Sequence, residues 1–258
     1  CLNRFVSQSL GQPAMLDQLF QLWVKVAERL RSAGIAHADL QHGNVVLVPK
    51  DDQGSLLLKL IDYDGMHVPA LASQPSREMG HRNYQHPDRE RQGIYSVEVD
   101  RFSHLAICCA LRCLRVGGRP LWERFDDGEN LLFKQQDFLN PSESTLLREL
   151  WTLRDADAHA LVGQLALATQ RPLDQCPLLE ELVRDRRVRP LTVDEQRAAA
   201  ALLQRNAGMS AVAAPHQSSS AGVATSANPN LHASGEILLD DPFADASLIT
   251  ELNDLLQG

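Results

Sequence analysis

Apolar residues recur at every third or fourth position between residues 15 and 33, where Leu16, Leu19, Phe20, Trp23, Val24, Val26, Ala27 and Leu30 stripe one side of MLDQLFQLWVKVAERLRSA. That period predicts a long helix with a wide buried face, stopped by Gly34. The pattern then changes: VVLVP and LLLKLI are short apolar runs flanking KDDQGS, the form of a two-stranded hairpin with Gly54 in its bend. From 99 to 116 the chain is strongly apolar with helical spacing, ended by Gly117 and Gly118. Further helices are predicted around 142–152, 156–169, 177–186 and 193–206, separated by Pro and Gly punctuation. Between 64 and 96 no period holds and Pro, Gly, His and Arg are frequent, which predicts a long irregular loop. Loops of that length within compact domains are usually functional.

These elements describe a mostly helical (α+β) body carrying one small hairpin. After 207 the composition shifts to Ala, Ser, Gly, Asn and Pro without an aromatic residue, a segment with too little apolar surface to offset its ordering entropy. A disordered linker is expected over 207–235. The stretch 236–258, EILLDDPFADASLITELNDLLQG, regains Ile, Leu and Phe with acidic spacing. It reads as an acidic amphipathic tail, either a docking helix for a protein partner or a decoration of the surface.

Length and charge narrow the function classes. The 258 residues suffice for one sizeable domain with appendages or for two small ones. With 33 acidic against 25 basic residues the formal charge is −8, so there is no global basic field to hold a nucleic acid or an anionic membrane. The longest apolar run, Leu105 to Leu111, is far below the roughly 20 residues of a membrane span. Five cysteines, three of them in LAICCALRCL, follow neither a metal-ligand spacing nor a disulfide framework, and a reducing cytoplasm fits them best.

The chemistry concentrates in two short stretches. HADLQHGN, residues 37–44, puts an Asp and an Asn five positions apart, and LIDYDGM follows across the hairpin. Phosphoryl transfer requires a carboxylate beside the attacking hydroxyl and oxygen ligands for Mg²⁺, held rigidly against nucleotide phosphates. Asp39, Asn44 and Asp62 are residues of those types. The first stretch resembles the catalytic loop of the protein-kinase superfamily, H-R-D-L-x-x-x-N, and DYDG resembles its metal-binding D-F-G region. GHRNYQHPD is similar to the end of a kinase activation segment, YSVEVDRFSHLAICCAL to the helix that follows it, and QRPLDQCPLLEEL to the R-P segment near the end of the lobe. These motifs fall in the family order between about Leu2 and Val188.

The resemblance implies a protein-kinase-like C-terminal lobe over 1–190 with a C-terminal helix at 191–206. It implies Mg²⁺ and ATP as cofactors and a hydroxyl-bearing acceptor, a protein in the commonest case. Asp39 would be the catalytic base, with Asn44 and Asp62 holding metal and nucleotide. His37 would be a supporting core histidine, Asp100 would bond the catalytic-loop backbone, and Asp88 would pair with Arg171. Two departures bear on function. Ala38 stands where an Arg commonly reads a phosphorylated activation loop, and Gln41 where Ser/Thr kinases carry a phosphate-contacting Lys. A small residue after His and a Gly before Asn also occur in small-molecule kinases resembling aminoglycoside phosphotransferases, and a pseudokinase scaffold is the alternative from outside enzymes. The family's N-terminal lobe has no counterpart in the chain, whose opening CLNRFV resembles the first helix after the hinge; a fragment of a longer protein is expected.

Overall fold

The structure is a computed structural model, and it describes residues 1–49, 56–71 and 79–204. The expected bend at Gly54, the linker 207–235 and the tail 236–258 lie outside those residues. The described chain is mostly helical. Two helices, α1 (Leu2–Ser9) and α2 (Pro13–Ser32), lead into an antiparallel hairpin of β1 (Val45–Pro49) and β2 (Leu56–Leu60), with Val45 opposite Leu60 and Leu47 opposite Leu58. Then come α3 (Pro87–Gln92), α4 (Asp100–Phe125), α5 (Gln135–Leu139), α6 (Thr145–Trp151), α7 (Ala156–Ala168) and α8 (Leu179–Leu182). A minimal hairpin, β3 (Val183–Arg184) and β4 (Arg187–Val188), precedes α9 (Val193–Gln204).

The helix α4 is the axis of the molecule because its sequence leaves no polar face in the middle. Every residue from Phe102 to Leu111 is buried, as are Cys113 and Leu114, so neighbours must cover it on all sides. On one side lies the predicted stripe of α2, with Leu16, Leu19, Trp23, Val26 and Leu30 buried. Trp23 also donates its indole N–H to the His104 carbonyl at 3.1 Å, satisfying a polar atom that burial would otherwise penalise. On another side is α7, itself buried over most of its length, and beyond it α9, whose Ala199 and Leu203 join the same core. At the solvent edge Arg112 of α4 reaches Asp155 at 3.1 Å, Asp157 at 3.0 Å and Asp17 at 3.5 Å, joining α2, α4 and α7 through one guanidinium.

The structure corrects the sequence expectations at four places. Gly117 and Gly118 do not end the helix begun near 99. Gly118 takes φ 58°, ψ −151°, which breaks the axis, and a second helical segment with Pro120 in its first turn runs on to Phe125. The loop expected over 64–96 contains α3, which has Pro87 at its start, His86 accepting the Asp88 N–H at its N-cap, and Gly93 in the left-handed region at its C-cap. Only Leu179–Leu182 of the helix expected at 177–186 forms. Val183 and Val188 turn inward as a strand pair, with Asp185 and Arg186 at positive φ in the turn. The short α5 has no counterpart among the predicted helices.

Candidate functional site

The residues singled out by spacing converge where the 37–44 loop meets the hairpin. Asp39 and Asn44 are brought together directly: Asn44 Nδ2 donates to the Asp39 carbonyl at 3.0 Å and to its Oδ2 at 2.9 Å. Gln41 Nε2 donates to the same oxygen at 2.7 Å, and the His81 N–H donates to Oδ1 at 2.6 Å. Three donors thus fix a half-buried carboxylate in one orientation. Asn44 spends its N–H groups on Asp39, which leaves Oδ1 as the atom suited to a cation. Asp62 arrives by the ladder. The β1–β2 pairing continues one step through the Ile61 N–H to the Asn44 carbonyl at 3.0 Å, so Asp62 emerges, exposed, at the Asn44 end of the hairpin.

Two of these positions hold backbone conformations that non-glycine residues avoid. Ala38 has φ 67° and Asp62 φ 66°. Left-handed backbone costs an L-residue about 1–2 kcal/mol and persists only where the surroundings enforce it. At Ala38 the enforcement is visible. The fully buried Asp100, at the start of α4, accepts the His37 N–H at 2.5 Å on Oδ2 and the Ala38 N–H at 2.9 Å on Oδ1. Burial pushes the Asp100 carboxyl above its ordinary value, while His37, the two N–H groups and nearby Arg89 pull it back. His37 is completely buried and bonds the Ile61 carbonyl through Nε2 at 3.0 Å, which ties the loop to the Asp62 strand. An isolated bridge between Ala36 and His67 ties the same two segments on the far side of Asp62.

The segment 79–89 closes over the loop from the other side. Gly80 has φ 69°, and a Cβ there would lie 2.7 Å from the Ala38 carbonyl and 3.0 Å from Asp39 Oδ1, so only glycine permits the approach that delivers the His81 N–H. Tyr84 bonds His42 Nδ1 through its hydroxyl at 2.6 Å, and its carbonyl accepts from Ser103 of α4 at 2.8 Å. Burial, followed by the proximity of His81, holds His42 below the usual imidazole range, and burial raises the Tyr84 phenol. His86 anchors the segment to α7 by bonding the Ala168 carbonyl at 3.1 Å.

One expected pair is not formed. Asp88 accepts from Arg91, one helical turn away, and no ion pair joins it to Arg171. The nearer partner on α3 satisfies the carboxylate, and Arg171 lies three residues past the end of α7, where its backbone N–H meets the Ala168 carbonyl. Conversely, Gly80, His81 and Arg89 bear directly on the site, yet sequence spacing gave them no role. Among the described residues no group of three or more His, Cys, Asp or Glu is placed to hold a metal, and no helix is long and apolar enough to cross a membrane. Comparison with models of known protein families gives no match, and comparison with curated proteins gives none either.

Proposed function

We propose that the chain is a protein-kinase-like C-terminal lobe that serves ATP-dependent phosphoryl transfer to a hydroxyl. The observation that carries this reading is the joint fixation of Asp39 and Asn44 in one hydrogen-bonded unit, with Asp62 delivered beside Asn44 by the hairpin. Hard oxygen donors from one amide and one carboxylate suit Mg²⁺, which keeps several waters and takes phosphate oxygens for the rest of its shell. A bound Mg²⁺·ATP would supply the transferable group and the neutralising charge. Asn44 Oδ1 and the Asp62 carboxylate would hold the metal. Asp39 would orient the acceptor hydroxyl and take its proton, with Oδ1 and Oδ2 aimed by the donors that surround them. Gln41, which donates to Asp39, stands where protein Ser/Thr kinases carry a phosphate-contacting Lys, so a small-molecule acceptor is the alternative to a protein one within the same reaction class.

A second reading, a binding module without catalysis, draws on a specific observation: both Asp39 oxygens already accept hydrogen bonds within the chain. One experiment separates the two. Nucleotide titration followed by backbone amide signals should shift Asn44 and Asp62 in the presence of Mg²⁺, with a Kd on the order of 1 mM or weaker. Asp62→Ala should abolish the response. Asp39→Asn should leave binding intact and slow transfer from labelled ATP by about 10²–10⁴-fold. Transfer unchanged by Asp39→Asn removes Asp39 from its role, and binding without any transfer selects the binding module.

A further inference from the structure

Arg89 takes no part in the reaction as described, yet it is among the largest side chains that are fully buried, at 1% exposure. Helix α3 sets its guanidinium beneath the Asp39 loop. Its Nη1 donates to the Ala38 carbonyl and, at 2.5 Å, to Gln85 Oε1. The opposite pole of Ala38, its N–H, donates to Asp100. The one strained residue of the loop is therefore gripped at both ends, by a buried anion and a buried cation.

The arrangement is costly for a residue that only fills space. A buried guanidinium loses its hydration, and here its Nε finds no partner among the described residues. The carboxylates of Asp100 and Asp39 offset part of that loss by their charge. A Met or Leu would occupy much of the same volume without it.

We propose that Arg89 is a positioning residue for Asp39, and this rests on the phosphotransfer reading above. The Ala38 carbonyl belongs to the peptide plane that carries the Asp39 N–H, so holding that oxygen fixes the plane from which the Asp39 side chain departs. The segment 79–89 is joined to the loop by a guanidinium from its own helix.

Amide hydrogen exchange on the full chain tests the clamp independently of catalysis, using Arg89→Met, Arg89→Lys, Ala38→Gly and the Ala38→Gly/Arg89→Met pair. Arg89→Met should speed exchange at His37 and Ala38 by about tenfold or more while leaving α7 unchanged, since only a local opening is released. Arg89→Lys should recover part of the protection. In the Ala38→Gly background, where the left-handed backbone needs no enforcement, Arg89→Met should change loop exchange by less than about threefold. Acceleration spread equally over the loop and α7, or an Arg89→Met effect of the same size in both backgrounds, overturns the proposal and makes Arg89 a core filler. Should Arg89→Met not fold, loop protection in Arg89→Lys lost to the same extent as in α7 overturns it as well. In a transfer assay Arg89→Met should lower kcat with the nucleotide KM unchanged. Loop exchange behaving as expected in a protein that transfers no phosphate upholds the clamp and removes the phosphotransfer reading instead.

Discussion

Replacing Gly80 by Ala adds one methyl group at the point where two distant segments touch, and the structure fixes what that methyl would meet. Its Cβ would lie 2.6 Å from Gln85 Nε2, 2.7 Å from the Ala38 carbonyl oxygen and 3.0 Å from Asp39 Oδ1. Gln85 can swing away, but the Ala38 oxygen is backbone held by Arg89, so the overlap cannot be relieved cheaply. Two costs add: about 1–2 kcal/mol for an L-residue at φ 69°, and about 1–3 kcal/mol for the overpacking. Gly93 provides the control, because it has φ 62° and nothing within 4 Å of its Cβ position. Gly93→Ala should bear the backbone cost alone. Equilibrium urea unfolding followed by tryptophan fluorescence, with Trp23 in the core, should place Gly80→Ala below Gly93→Ala by about 1–3 kcal/mol. Unfolding free energies agreeing to within about 0.5 kcal/mol, the level of an ordinary surface change, would refute the close approach of the 79–89 segment to Asp39.

Asp100→Ala leaves the His37 and Ala38 N–H groups buried without acceptors and should cost about 1–3 kcal/mol in the same unfolding experiment; a neutral substitution would contradict their dependence on it. His104 is fully buried, and burial, then proximity to His37, pushes it down to about 3. Its folded-state value lies below the unfolded one, so its contribution is full above about 6.5 and is lost as the pH falls from there toward 3. His104→Gln should therefore flatten the pH dependence of stability between about 6.5 and 4, and an unchanged slope would assign the acid sensitivity elsewhere. Cys176 is pushed up to about 12 by burial and lies against the Ala168 carbonyl, so it should resist thiol reagents at neutral pH in the native protein while Cys1, which is exposed, reacts. Rapid labelling of Cys176 without unfolding would contradict its burial.

Where the sequence spoke through a local period, it spoke accurately. The stripe of α2, the apolar β1 and β2 runs and the unbroken apolar stretch of α4 each carry their burial in their own residues. The contact between Asp39 and Asn44 was legible for a related reason, since the two lie five residues apart on one loop, and the hairpin that follows carries Ile61, next to Asp62, back to the Asn44 carbonyl. Asp100 was legible only through resemblance. What stayed hidden depends on partners far along the chain. Arg89 looks like any surface cation in PDRERQ, and nothing local says that the Ala38 carbonyl 51 residues earlier will draw it inside. Gly80 is one of 15 glycines, and its necessity comes from a backbone oxygen contributed by another segment. Asp88 illustrates the opposite error, in which a distant ion pair with Arg171 was expected and the neighbouring Arg91 satisfied the charge first.

The bonds that frame the Asp39 loop span long stretches of chain: His81 lies 42 residues beyond Asp39, Arg89 51 beyond Ala38, and Asp100 63 beyond His37. Contacts of such separation close large loops and tend to form late in folding, after local helices and hairpins. A chain emerging from the ribosome as far as Asp62 would already contain Asp39, Asn44 and Asp62, yet none of the three partners that frame the Asp39 loop. During refolding, the hairpin and α2 should acquire protection before His37 and Ala38 do, and the moment α4 docks should be the moment the loop becomes ordered. Order in the Asp39 loop therefore reports completion of the whole fold, and a partly folded chain carries the same residues without the shape that aligns them.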